Sequence, residues 1–479
     1  MDEGRAGYKR EFIEFLLKTG ALRVGGDYTL KSKRNSPWFV NIGDFNNGES
    51  IKRLGEYFAD TILAMDAPFD ILYGIPEKGN ALAVATAIAL VERDVNIPWF
   101  FTRKIPKDYG EATGTERKKS LVVGRAPQDG NRIVQLDDVF TAGNAKYEAR
   151  DLLNSLGTFE LPFLTIAVDR QEVGIKGFSA IEEYEIATGT RVTSAINATD
   201  IYSYLLKYVP IETPNGTITL RDVQRMGFYL KVYGTNAIRD VVGDVSERII
   251  QEQRSVIPAC DVERLEDFEE LVKVTADIPG IGAYKIGFEL GLGYGLERVV
   301  ATARKHTDKP IIYDHQKAGT DIPDTGKNFA RTCKNAGVDA VILFPQAGPE
   351  TERSWIYHAL EQGLQVIVGG WMTHAGYAKS EGGFIDDESI LDMYRIAARA
   401  GITQFVVPGN KPEIIKHIKE TIAYAGVNPI FFAPGFVAQG GAISDAANVA
   451  GDSWHAIIGR GITDAEDKRE AALAYTKQL

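Results

Sequence analysis

Cysteine is nearly absent from this 479-residue chain, which contains only Cys260 and Cys333. Two thiols cannot build a disulfide framework or a thiolate metal site, and both sit in apolar or helix-like surroundings that suit small core residues. Long apolar runs are also missing. Residues 81–91 form the longest near the N-terminal half and stop at Glu92-Arg93. That is well short of the roughly 20 residues a bilayer crossing needs, and it reads as a buried helix. The opening MDEGRAGYKR has no apolar stretch of the secretory kind, so residence in the cytoplasm is expected, without a membrane partner. Positive charge is in deficit: Lys+Arg number 54 against 65 for Asp+Glu, a net −11. This excludes broad nucleic-acid binding through a basic face. Small phosphorylated anions remain open as ligands, provided cations are concentrated in clefts.

What is present is ample core material, 44% hydrophobic residues in a chain too long for one ordinary domain. From Ser255 onward, short apolar runs alternate with longer amphipathic segments: VIPAC (256–260), YKIG (284–287), PIIYD (310–314), AVILF (340–344), QVIVGG (365–370), QFVVPG (404–409), PIFFAPG (429–435) and HAIIGRG (455–461). Strand–helix alternation repeated in this way predicts a (β/α)8 TIM barrel over residues 255–479, with its active site where the strands end. The front part, residues 1–233, carries FDILYGIP, IPWFFTRK, NRIVQLDDV and FLTIAVDR. Continuous apolar strands between helices predict an open α/β domain with a parallel sheet covered on both faces. The polar stretch 234–254 between them reads as an ordered helical connector.

In the front part, NRIVQLDDVFTAGNAKYEARDLL joins an apolar strand, two carboxylates, a small-residue turn and a helix. Asp137 and Asp138, at a strand's carboxyl end, can face ribose hydroxyls and a magnesium ion, which prefers oxygen ligands and substrate phosphates. Thr141, Ala142, Gly143, Asn144 and Ala145 offer backbone N–H groups and a hydroxyl at a helix N-terminus, a setting for a 5′-phosphate. The bland alternative is a strand-to-helix turn with ordinary capping residues.

This combination resembles the phosphoribosyl-diphosphate (PRPP) motif of type I phosphoribosyltransferases. YTLKSKRNSPWFVNIGDFNNG is similar to the signature of the orotate phosphoribosyltransferases within that class. By that resemblance Lys31 touches diphosphate and Trp38 and Phe39 line the orotate pocket, where aromatic faces suit a flat ring. Glu77-Lys78-Gly79 looks like the diphosphate loop. Arg103, Lys104, Lys107 and Asp108 look like the mobile catalytic loop that reaches across a dimer interface, its cations neutralising the leaving diphosphate. Arg170 matches an arginine that pairs with the orotate carboxylate through its planar fork. Two departures stand out: Tyr109 replaces the more usual histidine, and residues 111–130 are longer than in the compact bacterial form.

In the rear part, IIYDHQKAGTDIPDTG places Asp314, Lys317 and Asp321 after the third strand, and Lys285 ends the second. This resembles the charge network of the orotidine-5′-monophosphate (OMP) decarboxylases. The whole chain then resembles the bifunctional UMP synthases, in which a Mg-dependent transferase makes OMP and a cofactor-free decarboxylase converts it to UMP. Asp314 beside the substrate carboxylate would disfavour the ground state, while Lys317 stabilises charge at the pyrimidine carbon and supplies its proton. Asp321, with Ile322 and Thr325, would come from the other subunit, which implies a homodimer or higher homo-oligomer with shared sites. The gaps from Asp314 to Lys317 and on to Asp321 are three and four, where the family usually has two and three.

PGFVAQGG and IIGRGIT, at strands seven and eight, offer Pro434, Gln439, Gly459 and Arg460 to the phosphate, where barrels commonly bind it. WMTHAG puts Thr373 where the family has a serine contacting pyrimidine, with His374 as a structural neighbour. Asp261, ending the first strand, would bind ribose hydroxyls. Two other readings fit parts of the pattern. A sugar-phosphate decarboxylase or aldolase barrel would need a metal-binding carboxylate arrangement, and a front domain that only senses PRPP would not need Lys104, Lys107 and Arg170.

Overall fold

The computed structural model describes residues 2–30, 32–103, 121–140, 144–174, 177–315, 320–436 and 445–479. They form two compact units, Met1–Val241 and Val242–Leu479.

The front unit is built on a six-stranded sheet of order β5-β4-β3-β6-β7-β8. Its strands are β3 (Ile71–Gly74), β4 (Trp99–Thr102), β5 (Val122–Gly124), β6 (Ile133–Val139), β7 (Phe163–Asp169) and β8 (Arg191–Asn197). A separate antiparallel hairpin, β1 (Leu22–Thr29) with β2 (Asn35–Val40), carries the YTLK…NIG signature. Strands β3, β4, β6, β7 and β8 pair in parallel, as their continuous apolar runs require. At one edge of this parallel sheet a short strand, β5, runs antiparallel to β4. Gly124 permits that pairing: it has φ +99°, and a Cβ there would lie 2.4 Å from the Trp99 carbonyl oxygen. Residues 81–91 lie in the helix Lys78–Val91, which is buried along most of its length, with Ile88 and Val91 exposed.

The rear unit is a closed parallel barrel of eight strands. They are β11 (Arg254–Cys260), β12 (Tyr284–Ile286), β13 (Ile311–Asp314), β14 (Ala340–Leu343), β15 (Gln365–Gly369), β16 (Gln404–Val406), β17 (Ile430–Pro434) and β18 (Trp454–Ile458), each inside or overlapping one of the apolar runs. The short hairpin β9 (Ile211–Thr213) and β10 (Gly216–Ile218) belongs to the front unit. Alternate barrel residues, among them Ile257, Ala259, Ala283, Ile312, Ile342, Val406, Phe432 and Ile457, share one core cluster. Because side chains alternate along a strand, the same inner face continues to Asp261, Lys285, Asp314 and Gly459 at the carboxyl ends.

The polar stretch 234–254 does two things. Its start is the helix Asn236–Val242. Residues 246–253 belong to the barrel unit and lie against the amino ends of its strands. Ile249 and Ile250 enter the barrel core. Gln404 accepts from the Ile249 N–H at 3.0 Å and donates to the Glu247 carbonyl at 2.9 Å, and Gln365 accepts from the Glu247 N–H at 3.1 Å. At the same end, buried His455 bonds Ser255 at 2.8 Å through Nδ1. Cys260 and Cys333 are free and buried. Among the described residues no helix is long and apolar enough to cross a membrane.

Candidate active sites

In the front sheet, β3 has β4 on one side and β6 on the other. The chain turns outward in opposite directions from this pair, the crevice where open α/β sheets bind ligands at the carboxyl ends of their strands. Two helices begin there, Lys78–Val91 after β3 and Asn144–Leu156 after β6. Backbone packing around the first turn is close: a Cβ on Gly79 would lie 2.4 Å from the Leu136 carbonyl oxygen of β6. That approach brings half-exposed Lys78 to Asp138, Nζ to Oδ2 2.6 Å.

The two adjacent carboxylates have separate partners. Asp137 pairs with Lys146 at 2.5 Å, and both are buried. Lys146 also donates to the Val139 carbonyl at 2.8 Å, which ties the first turn of its helix to the end of β6. Burial holds the Asp137 carboxyl above its ordinary value even against the Lys146 ammonium. Lys146 escaped the sequence reading; its signal would have been a cation in the first helical turn after an acidic pair. Arg103 follows β4 and its N–H bonds the Leu121 carbonyl at 2.9 Å. Asn144 and Ala145 open their helix. Lys31, Lys104, Lys107, Asp108, Thr141, Ala142 and Gly143 lie outside the described residues.

Trp38 and Phe39 are neighbours on β2, so they face opposite ways. Trp38 is fully buried, with the Arg170 guanidinium 3.8 Å from its ring centroid. Half-buried Phe39 stacks on Tyr28 at 5.7 Å. Alternation gives each a different face of β2. Arg170 meets a carboxylate of this chain, Glu172, at 2.6 Å, and donates to Ser36 Oγ at 3.0 Å. Its fork braces β2.

At the mouth of the barrel, Lys285 sits between two carboxylates. Its Nζ is 3.2 Å from Asp314 and 3.5 Å from Asp261. Burial opposes the charge on Lys285, yet Asp314 and Asp261 outweigh it and hold the ammonium above its ordinary value. Asp314 is 3% exposed. Lys317 and Gln439 lie outside the described residues. Asp321 and Ile322 point to solvent. Thr325 opens the helix Thr325–Asn335 and gives its hydroxyl to the Ile322 carbonyl at 2.8 Å.

Beyond β15, the Thr373 carbonyl accepts from Asn410 at 3.1 Å, and His374 is exposed. Pro434 ends β17, beside β18. A Cβ on Gly409 would lie 2.2 Å from the Pro434 carbonyl oxygen, so the loops after β16 and β17 touch through backbone. Gly459 leads into the short helix Arg460–Thr463, with Arg460 exposed.

A switch-point crevice with an acid–lysine pair, and a barrel whose mouth holds buried Lys285 between buried Asp314 and exposed Asp261, mark an enzyme with two α/β domains. Over 199 residues, 41% of this chain, it is 43% identical to the orotate phosphoribosyltransferase of Aeromonas salmonicida (strain A449) and covers 87% of that protein. The crystal structure of orotate phosphoribosyltransferase from Francisella tularensis aligns over 47% of this chain and 100% of its own, with 29% identity and a TM-score of 0.40. That of orotidine 5′-phosphate decarboxylase from Pyrococcus horikoshii OT3 aligns over 47% of this chain and 98% of its own, with 26% identity and a TM-score of 0.38. Residues 254–475 match the Orotidine 5'-phosphate decarboxylase / HUMPS family. The chain belongs to the orotate phosphoribosyltransferase family and carries a decarboxylase-family barrel in the same polypeptide.

Proposed function

We propose that this chain performs two consecutive steps of pyrimidine nucleotide synthesis. The front domain joins orotate to PRPP: an orotate ring nitrogen gives up its proton and bonds to the anomeric carbon, the bond to diphosphate breaks, and OMP forms with release of diphosphate and the proton. The barrel then releases carbon dioxide from OMP and leaves UMP. The observation that carries this reading is the buried Lys285–Asp314 pair, with exposed Asp261 beside it, at the mouth of a decarboxylase-family barrel, on the same chain as a transferase whose product is that barrel's substrate.

In the transferase, Lys78 and Asp138 meet at the crevice, where lysine serves the diphosphate and the carboxylate the ribose hydroxyls. Arg103, Lys104 and Lys107 neutralise the leaving group. Magnesium fits as an ion carried mainly by the phosphates of PRPP. Among the described residues no three His, Cys, Asp or Glu side chains cluster to hold a metal. Asp137 and Asp138 are already paired with lysines. When bound near them, the ion supplies charge neutralisation to the diphosphate. In the decarboxylase, Lys285 fixes Asp314 against the substrate carboxylate, and the electron pair left at the pyrimidine carbon is met by the Lys317 ammonium, which gives up its proton. Gln439, Gly459 and Arg460 take the phosphate and Thr373 the base. Exposed Asp321 and Ile322 suit a site completed by a second copy, hence a homodimer or larger homo-oligomer, working in the cytoplasm.

Purified protein given orotate, PRPP and magnesium is expected to consume orotate and form UMP with release of carbon dioxide. If orotate is untouched and added OMP persists, the proposal fails.

A further inference from the structure

We infer that Thr351, Ser354 and Trp355 are positioning residues for the decarboxylation step: they hold the backbone of the turn that carries Asp321 and Ile322. The helix Pro349–Glu361 places these three at spacings that share one face. Each gives its side-chain donor to a different, successive carbonyl. Thr351 Oγ1 donates to Asp321 O at 2.9 Å, Trp355 Nε1 to Ile322 O at 3.2 Å, and Ser354 Oγ to Pro323 O at 2.7 Å. All three donors are buried. The turn is also tied to the barrel rim, because Thr320 Oγ1 donates to the carbonyl of Phe344, just beyond β14, at 3.1 Å. Gly326 completes the fit: a Cβ there would lie 2.8 Å from the Trp355 ring.

The side chains that this backbone carries point the other way. Asp321 is exposed and Ile322 is 57% exposed. Helix packing alone asks for apolar surface, not for a donor against each of three consecutive carbonyls. The Ile322 carbonyl already closes its own turn by accepting from the Thr325 N–H and hydroxyl, so the Trp355 bond adds orientation relative to a second helix. A carboxylate that acts at a reaction centre must arrive in a fixed pose, since a misplacement of about 1 Å can cost on the order of 100-fold in rate.

This inference rests on reading Asp321 as a carboxylate of the decarboxylase site. Thr351→Val with Ser354→Ala removes two donors at nearly constant volume. The expected result is a kcat for OMP decarboxylation lower by about 10- to 100-fold, a KM for OMP within about threefold, and orotate transfer by the same chain unchanged. Thr351→Ser with Ser354→Thr, which keeps both hydroxyls, is expected to hold kcat within about threefold of the parent. Ser354→Ala alone should show the same split at smaller size, and it decides the matter if the double variant does not fold. Unchanged kcat on donor removal, or equal loss in the hydroxyl-keeping variant, overturns the inference. Asp321→Asn separates the two ideas: full decarboxylation in that variant sinks the underlying reading, whereas its loss beside an active Thr351→Val/Ser354→Ala enzyme sinks only the positioning role.

Discussion

Acid should destabilise the barrel through one buried histidine. His455 is fully buried; its Nδ1 bonds Ser255, and its Nε2 has no partner among the described residues. Burial, reinforced by nearby Arg248, drives its pKa down from 6.5 to about 3. A histidine with a depressed folded value stays neutral in the folded state but takes up a proton when unfolded. The stability this represents is present above pH 6.5 and is lost as pH falls towards 3. Proton linkage with these values gives a loss of about 2 kcal/mol between pH 7 and pH 5, or roughly 4–8 °C in the melting temperature of a domain this size. His455→Phe keeps a ring that cannot titrate and loses the Ser255 bond, at a cost of about 1 kcal/mol near neutrality. Calorimetry at pH 7 and pH 5, with the barrel transition identified by its shift on adding UMP, should show the parent more stable at pH 7 and the variant more stable at pH 5. Parallel pH profiles for the two proteins would refute the reasoning.

Lys285→Met leaves Asp261 and Asp314 without the ammonium at 3.2–3.5 Å. Breaking a buried pair in this way costs about 3–5 kcal/mol, so denaturant unfolding should show a weakened barrel, and OMP turnover should be lost while orotate transfer persists. Lys146→Met strands buried Asp137. A loss of about 3–5 kcal/mol in the front unit is expected by the same argument, and Asp137→Asn added to it should recover most of that loss in the same unfolding assay.

Much of the barrel was legible in the sequence because its parallel strands are buried on both faces and so appear as apolar runs. The charges that end those runs were legible for a related reason: an ionisable residue directly after VIPAC or inside YKIG interrupts an apolar pattern at the position where a barrel places chemistry. Strand β8, RVTSAIN, was not recognised, since as an edge strand it is polar and only partly buried. The antiparallel direction of β5 was hidden too, because pairing direction is a property of the connection rather than of a three-residue strand.

At the sites, adjacency in sequence was the weakest guide. Trp38 and Phe39 look like a pair but are separated by strand alternation, and Asp137 and Asp138 likewise hold different lysines. Residues 246–253 read as polar connector because their work is done by backbone groups meeting Gln365 and Gln404, contacts of long sequence separation. The donors Thr351, Ser354 and Trp355 were invisible for the same reason: nothing local marks which carbonyls they will reach.

Whether one chain holds two separate active sites is decided by following orotate labelled at its carboxyl carbon through three proteins. With PRPP and magnesium, the parent should release the label as carbon dioxide. Lys317→Ala should stop at labelled OMP, and Lys107→Ala should leave orotate unchanged yet still decarboxylate added OMP. Loss of both activities in either folded variant, or no release of label by the parent, would contradict the account.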